Sequence, residues 1–146
     1  MPGTEKGNKM FILNLTQHAA SPEQVEAGAY EPQNKELVQK LLTFEELPTP
    51  DEVSKRARVL AALAREEGVE AVMIGGAPFL MPQLEYELAA YSIQVLYAFS
   101  RRESVEETDP ETGESRKISV FRHLGFYEAQ TGQAIRNWMV HANSMI

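Results

Sequence analysis

The sequence predicts an α/β fold, a mostly parallel sheet flanked by helices and finished by a C-terminal antiparallel hairpin. Three observations carry this. Short apolar runs at residues 10–15 (MFILNL), 69–74 (VEAVMI) and 93–99 (IQVLYAF) have the length and composition of buried strands. Helical patterns lie between them, the alternation that builds parallel sheets. Near the C-terminus, Asp109-Pro110-Glu111-Thr112-Gly113 is a strong turn signal between two β-rich runs.

The elements follow in order. Residues 10–15 form the first strand, and a polar turn through Thr16, Gln17 and His18 leads to Ser21-Pro22-Glu23-Gln24. Ser at the N-cap, Pro at the first helical position and Gln three residues past the cap make a helix start. Gly28 ends this short helix. Strand, polar turn and helix N-terminus together open a Rossmann-like unit. Residues 34–42 show helical spacing at Leu37, Val38, Leu41 and Leu42, and residues 43–47 are a short strand or an extended connector. Pro48 and Pro50 punctuate the chain before the clearest helix, residues 51–67. Its apolar positions are Val53, Ala57, Leu60, Ala61 and Ala64, and Gly68 closes it. After the strand at 69–74, Gly75-Gly76-Ala77-Pro78 turns into a helix over 79–91, with Pro82 as an alternative start. The strand at 93–99 ends in Ser100-Arg101-Arg102. Residues 103–108 and 117–126 flank the hairpin turn. Residues 130–144 form a last helix with Ile135, Trp138, Met139 and Ala142 on one side.

Length and composition bound the function. A chain of 146 residues is one domain with a real core. Residues 1–9 read as a disordered leader, with Met10 as the natural start of the folded part. Residues 10–128 read as the α/β domain and 129–146 as a helical extension. The net charge of −7 argues against a sequence-independent binder of long DNA or RNA, which needs a broad basic surface. It leaves room for a small anion in a local basic pocket. The chain has no cysteine, which excludes disulfides, thiolate catalysis and zinc–cysteine sites and fits a reducing cytoplasm. No apolar run reaches the length of a membrane span, and no secretory signal precedes the first strand.

Right-handed crossovers put the turns after the parallel strands on one rim. Gln17-His18, Gly75-Gly76 and Ser100-Arg101-Arg102 are therefore expected to converge at the strand ends, where open α/β sheets bind ligands. The glycine pair either offers backbone N–H groups to an anion at a helix N-terminus or is simply a tight turn. It lacks the dinucleotide and P-loop spacings. Arg101 and Arg102 either hold phosphate or are solvated charges paired with Glu103, Glu106 or Glu107. His18 is positioned to act as a base toward a ribose hydroxyl or to make a structural hydrogen bond. His123 follows Arg122 in the last strand, and alternation sends the two to opposite faces. His141 reads as surface or packing. The histidines and carboxylates show no metal-binding spacing, and no G-x-S-x-G elbow is present. Metal-independent chemistry, or binding without chemistry, is favoured, and no cofactor is expected.

Three segments carry a resemblance: ILNLTQHAASPEQ at residues 12–24, IGGAPFLMPQLE at 74–85, and LYAFSRRESVEE with SVFRHLGF at 96–107 and 119–126. Over residues 10–127 the chain resembles short stand-alone CRISPR-associated proteins of the Rossmann-fold, CARF-type class, including phage and prophage relatives. The resemblance implies binding of cyclic oligoadenylate, most specifically cyclic tetra-adenylate, the alarm signal of type III CRISPR immunity. It further implies ring-nuclease cleavage without a metal, by attack of a 2′-hydroxyl on the adjacent phosphorus. Carried onto this sequence, the catalytic candidates are His18, Arg101 and His123. The ligand-binding candidates are Asn14, Gln17, Gly75, Gly76, Ser100, Arg102 and Arg122. A homodimer with the ring across its two-fold is expected. The competing expectations are a non-catalytic sponge or sensor of a cyclic nucleotide, and an interaction protein with no nucleotide ligand.

Overall fold

A computed structural model describes residues 10–144, with residues 132, 133, 135, 136 and 139 described by backbone alone. The expected leader at residues 1–9 lies outside the described residues. The elements are β1 (Ile12–Leu15), α1 (Pro22–Glu26), β2 (Ala29–Tyr30), α2 (Lys35–Leu42), α3 (Pro50–Glu66), β3 (Ala71–Ile74), α4 (Met81–Ala90), β4 (Gln94–Thr108), β5 (Ser115–Glu128) and α5 (Gln130–Ser144). They form one five-stranded sheet in the order β2-β1-β3-β4-β5. β1, β2, β3 and β4 pair in parallel, and β5 pairs antiparallel to β4. This is the fold class the sequence predicts. The order reverses between β1 and β3, because the chain steps from β1 to one neighbour and then crosses to the other. Doubly wound sheets bind ligands outside the strand ends at such a switch point.

Local chemistry sets several boundaries. The Ser21 hydroxyl accepts from the Gln24 N–H at 3.1 Å while the Gln24 side chain accepts from the Ser21 N–H at 3.0 Å, a complete capping box. Thr49 accepts from the Glu52 N–H at the start of α3, and Pro50 occupies the first turn. Gly28 has φ +119, and its carbonyl accepts from the Ile12 N–H at 2.9 Å, stitching the turn after α1 onto β1.

The two faces of the sheet are unequally covered. Leu13, Leu15, Val72, Ile74 and Val95 point into the larger core. There they meet Val38 and Leu42 of α2, Ala57, Leu60, Ala61 and Ala64 of α3, and Leu84 and Leu88 of α4. Burying a leucine such as Leu60 stabilises by about 1.5–3 kcal/mol, and the alanines of α3 let that helix approach the sheet closely. α5 packs against α4. The opposite face carries a smaller cluster of Ile12, Ala29, Ala71, Met73 and Leu96, sealed by Ala20 and Phe126. No helix among the described residues is long and apolar enough to cross a membrane.

The structure bears on four details of the sequence reading. Of the two readings of residues 43–47 the connector is the one found, and the two-residue β2 is a strand the sequence reading did not include. α4 starts at Met81, next to the alternative start at Pro82 and not at 79, so the Gly75-Gly76 turn does not open directly onto a helix N-terminus. The apolar side proposed for α5 is described only in part: Trp138 is 69% exposed, while Ile135 and Met139 lie outside the described side chains. The largest difference is in β4, which does not stop at Phe99. It continues through Ser100, Arg101 and Arg102 to Thr108 and pairs with β5 throughout.

β3 pairs with β4 only over Gln94, Val95 and Leu96. Beyond that point β4 and β5 form a two-stranded ribbon closed by the predicted turn, where the Asp109 N–H donates to the Glu114 carbonyl at 2.8 Å. At about 3.3 Å per residue the ribbon runs on the order of 40 Å past the sheet.

A bulge controls which side chains the ribbon presents. Phe99 pairs with Gly125, but Ser100 pairs with His123, so Leu124 is the extra residue on β5. Gly125 accommodates this with φ +148. Without the bulge, Phe126, Leu124 and Arg122 would share one face. With it, Phe126, His123 and Phe121 do.

Candidate functional site

A cleft of about 530 Å³ lies at the C-terminal ends of β1 and β3, beside the stretch where β4 runs on past the sheet, at its switch point. Thr16, Gln17 and His18 follow β1, Gly75 and Gly76 follow β3, and Tyr97 and Ser100 come from β4. Phe121 and His123 reach it from β5, and Ser21 and Gln24 close the side nearest α1. Of the three segments predicted to converge, the turns after β1 and β3 meet here with Ser100 of the third.

Asn14 organises the wall that carries His18. It is fully buried, so it does not face the cleft. Its amide donates to the His18 carbonyl at 2.8 Å and to the Glu31 carboxylate, while its oxygen accepts from the Thr16 N–H at 3.0 Å and the Thr16 hydroxyl at 2.7 Å. Glu31 in turn accepts from the Ala20 N–H at 2.8 Å and pairs with Lys35. Burial acts to raise the Glu31 carboxyl, but the Ala20 N–H, Lys35 and Asn14 all bind the charged form and hold it below the usual carboxylate value. Asn14 was expected to contact ligand; the structure makes it the anchor of the loop instead. Gln17 is similarly tied down, donating to the Leu42 carbonyl and the Thr43 hydroxyl and accepting at its own carbonyl from Gln39. The His18 side chain is exposed.

The glycines differ. A Cβ on Gly75 would sit 3.5 Å from the Thr16 Cγ2, an ordinary contact. Gly76 has φ +148, and a Cβ there would face Met81 and Leu42. Backbone conformation demands glycine at position 76; ligand approach does not. Together they make a wall of bare backbone on one side of the cleft.

Ser100 and His123 are directly paired across the ribbon and share the cleft face. The His123 Nδ1 is buried with no hydrogen-bond partner among the described residues, and the ring lies 4.7 Å from that of Phe126. A buried nitrogen with no acceptor beside it is a poor place for a proton, so the N–H belongs on Nε2. Arg102 and Phe121 are the next pair outward, with the guanidinium 5.2 Å from the ring centroid. Tyr97 borders the cleft but packs against the larger core, where its hydroxyl donates to Glu85. Burial and the Glu85 carboxylate push that phenol well above its usual value, so it is a fixed donor and not a base.

Arg101 and Arg122 do not enter the cleft. They pair with each other across the ribbon, on the face opposite Ser100 and His123. Both bond Glu103, at 3.0 Å and 3.4 Å. The Arg101 guanidinium, aided by Arg122, holds the Glu103 carboxyl below its usual value. The solvated ion-pair reading of Arg101 therefore describes it. The physical reason is that β4 runs on: within a strand, Arg101 and Arg102 must point to opposite faces.

The cleft lining contains no Lys, Arg, Asp or Glu. It is a surface of mixed polar and apolar groups holding two histidines and bare backbone, with Arg102 at its border. In a chain with 21 acidic residues, a concave surface clear of carboxylates is where an anion meets least repulsion. A second concavity, lined by Gln39, Lys40, Thr43, Glu45, Glu46 and Arg56, is different in kind. Its arginine is committed to the Leu41 and Thr43 carbonyls and to Glu52, closing the C-terminus of α2.

Residues 10–127 match the uncharacterized protein MJ1673 family, from the start of β1 almost to the end of β5. The chain belongs to this family. The match takes in every residue lining the cleft, so the site is carried by the family domain and not by α5. No curated protein and no solved structure matches the chain.

Tyr97 and Phe121 were not singled out in the sequence. Phe121 precedes His123 by two residues on a strand, and that period-two spacing is the signal that finds it.

Proposed function

We propose that the cleft binds a small phosphate-bearing nucleotide, and that this ligand is a cyclic oligoadenylate which the protein opens without a metal. The reading rests on one observation: the turn after β1, the glycine pair after β3 and the Ser100–His123 pair of the ribbon surround one carboxylate-free cleft at the switch point. The sequence resemblance supplies the identity of the ligand.

The proposed step uses only atoms of the ligand and two imidazoles. The 2′-oxygen of one adenosine attacks the adjacent phosphorus, and the bond from phosphorus to the 5′-oxygen breaks. His18, exposed on the cleft wall, takes the 2′-hydroxyl proton. His123 offers its Nε2–H to the phosphate as charge builds, and the 5′-alkoxide leaves with a proton from solvent or from His18. The products carry a 2′,3′-cyclic phosphate and a 5′-hydroxyl. No step runs through Arg101, whose guanidinium is held by Glu103 on the other face. In this reading the protein switches off type III CRISPR signalling in the cytoplasm of a host, or serves a phage as an anti-CRISPR. A homodimer around a symmetric ring is part of the proposal.

The second reading is a sponge that binds without cutting, favoured by the absence of a charged group in the cleft lining. One assay separates the two. Protein incubated with cyclic tetra-adenylate and a chelator is expected to give linear products by chromatography, and His18→Ala is expected to slow cleavage at least tenfold more than it weakens binding. Tight binding with an intact ring selects the sponge. No binding and no cleavage removes both.

A further inference from the structure

The cleft has an outer wall that the chemistry above does not use. Phe121 lies on the cleft face of β5 and is 64% exposed. Leaving that much phenyl surface in water is unfavourable, and nothing in the ribbon requires an aromatic residue there: its neighbours on the same face are Ser104 and Ser119. Arg102, paired opposite, already lays its guanidinium over the ring. One pair deeper are Ser100 and His123, about 7 Å away along the strands. The order from the cleft floor outward is thus hydrogen-bonding groups, then a flat aromatic ring with a cation over one of its faces. The bulge at Leu124 is what brings His123 and Phe121 to this face.

We infer that Phe121 and Arg102 form a stacking platform for the heteroaromatic base of the ligand whose phosphate lies against Ser100 and His123. This rests on the nucleotide reading and adds a specificity element to it. The platform distinguishes a base-bearing ligand from a bare sugar phosphate. Because every base has a π-face, it tolerates exchange of one base for another.

Calorimetric titration with cyclic tetra-adenylate, run on wild type, Phe121→Ala and Phe121→Trp, tests it. Phe121 is an exposed ribbon residue, and circular dichroism verifies that each variant keeps the fold. Phe121→Ala is expected to weaken binding by about ten- to a hundredfold, and Phe121→Trp to keep wild-type affinity or tighten it. Equal affinity of wild type and Phe121→Ala overturns the platform while leaving the nucleotide site standing. A tryptophan variant as weak as the alanine variant also overturns it, because a stacking role survives that exchange. A wild-type protein that does not bind the ring at all overturns the platform together with the nucleotide reading.

Discussion

Replacing Asn14 with leucine is expected to cost roughly 2–4 kcal/mol of stability and to abolish ligand binding at the cleft. The two losses have one cause. Asn14 is fully buried and bonds the His18 carbonyl, the Glu31 carboxylate and both polar groups of Thr16. Leucine has similar volume but returns none of these bonds, and the partners nearest the core lose theirs without gaining water. The wall that carries Gln17 and His18 then has no fixed position relative to Gly75 and Ser100. Denaturant unfolding measures the first effect and ligand titration of the still-folded fraction measures the second. A variant of wild-type stability and affinity would show that the network is incidental.

Gly28→Ala is expected to be the most damaging single-methyl change, at about 3 kcal/mol or more. The position has φ +119, and an added Cβ would lie 1.9 Å from the Met10 carbonyl oxygen. That contact is with backbone, so relief requires moving β1 or the turn after α1. At this chain length the loss corresponds to a fall in Tm of about 10 °C. Gly75→Ala is the internal control: its Cβ would meet only the Thr16 Cγ2 at 3.5 Å, and a change of no more than about 1 °C is expected. A Gly28→Ala protein that melts like wild type would contradict the geometry of the β1–β2 connection.

These two positions show where sequence reasoning reaches. The caps of α1 and α3 were legible because Ser21-Pro22 with Gln24, and Pro50 at the head of an amphipathic run, act locally. The convergence of the turns after β1 and β3 was legible because crossover handedness is general. The ribbon was not. Ser100, Arg101 and Arg102 read as the polar end of one strand, with 103–108 as a separate arm of the hairpin. They are one strand because β5 returns to pair with them, and that pairing is non-local. Once β4 runs on, Arg101 and Arg102 separate to opposite faces, and the expected double-arginine phosphate grip dissolves. The bulge is beyond period counting altogether. A shift of one residue at Leu124 decides whether Arg122 or His123 faces the cleft, and only pairing across Phe99–Gly125 and Ser100–His123 reveals it. Asn14 was a ligand contact only by the resemblance, and burial gives it a different task.

The central claim is that one cleft at the switch point of the sheet is where this protein meets its ligand. Amide chemical-shift mapping during titration with cyclic tetra-adenylate tests it most directly. The account predicts shifts concentrated at Thr16, Gln17, His18, Gly75, Gly76, Ser100, Phe121 and His123, with the ribbon turn at Asp109 and Gly113 unmoved. Shifts confined to Lys40, Thr43 and Arg56, or to the Arg101–Arg122 face of the ribbon, would contradict it.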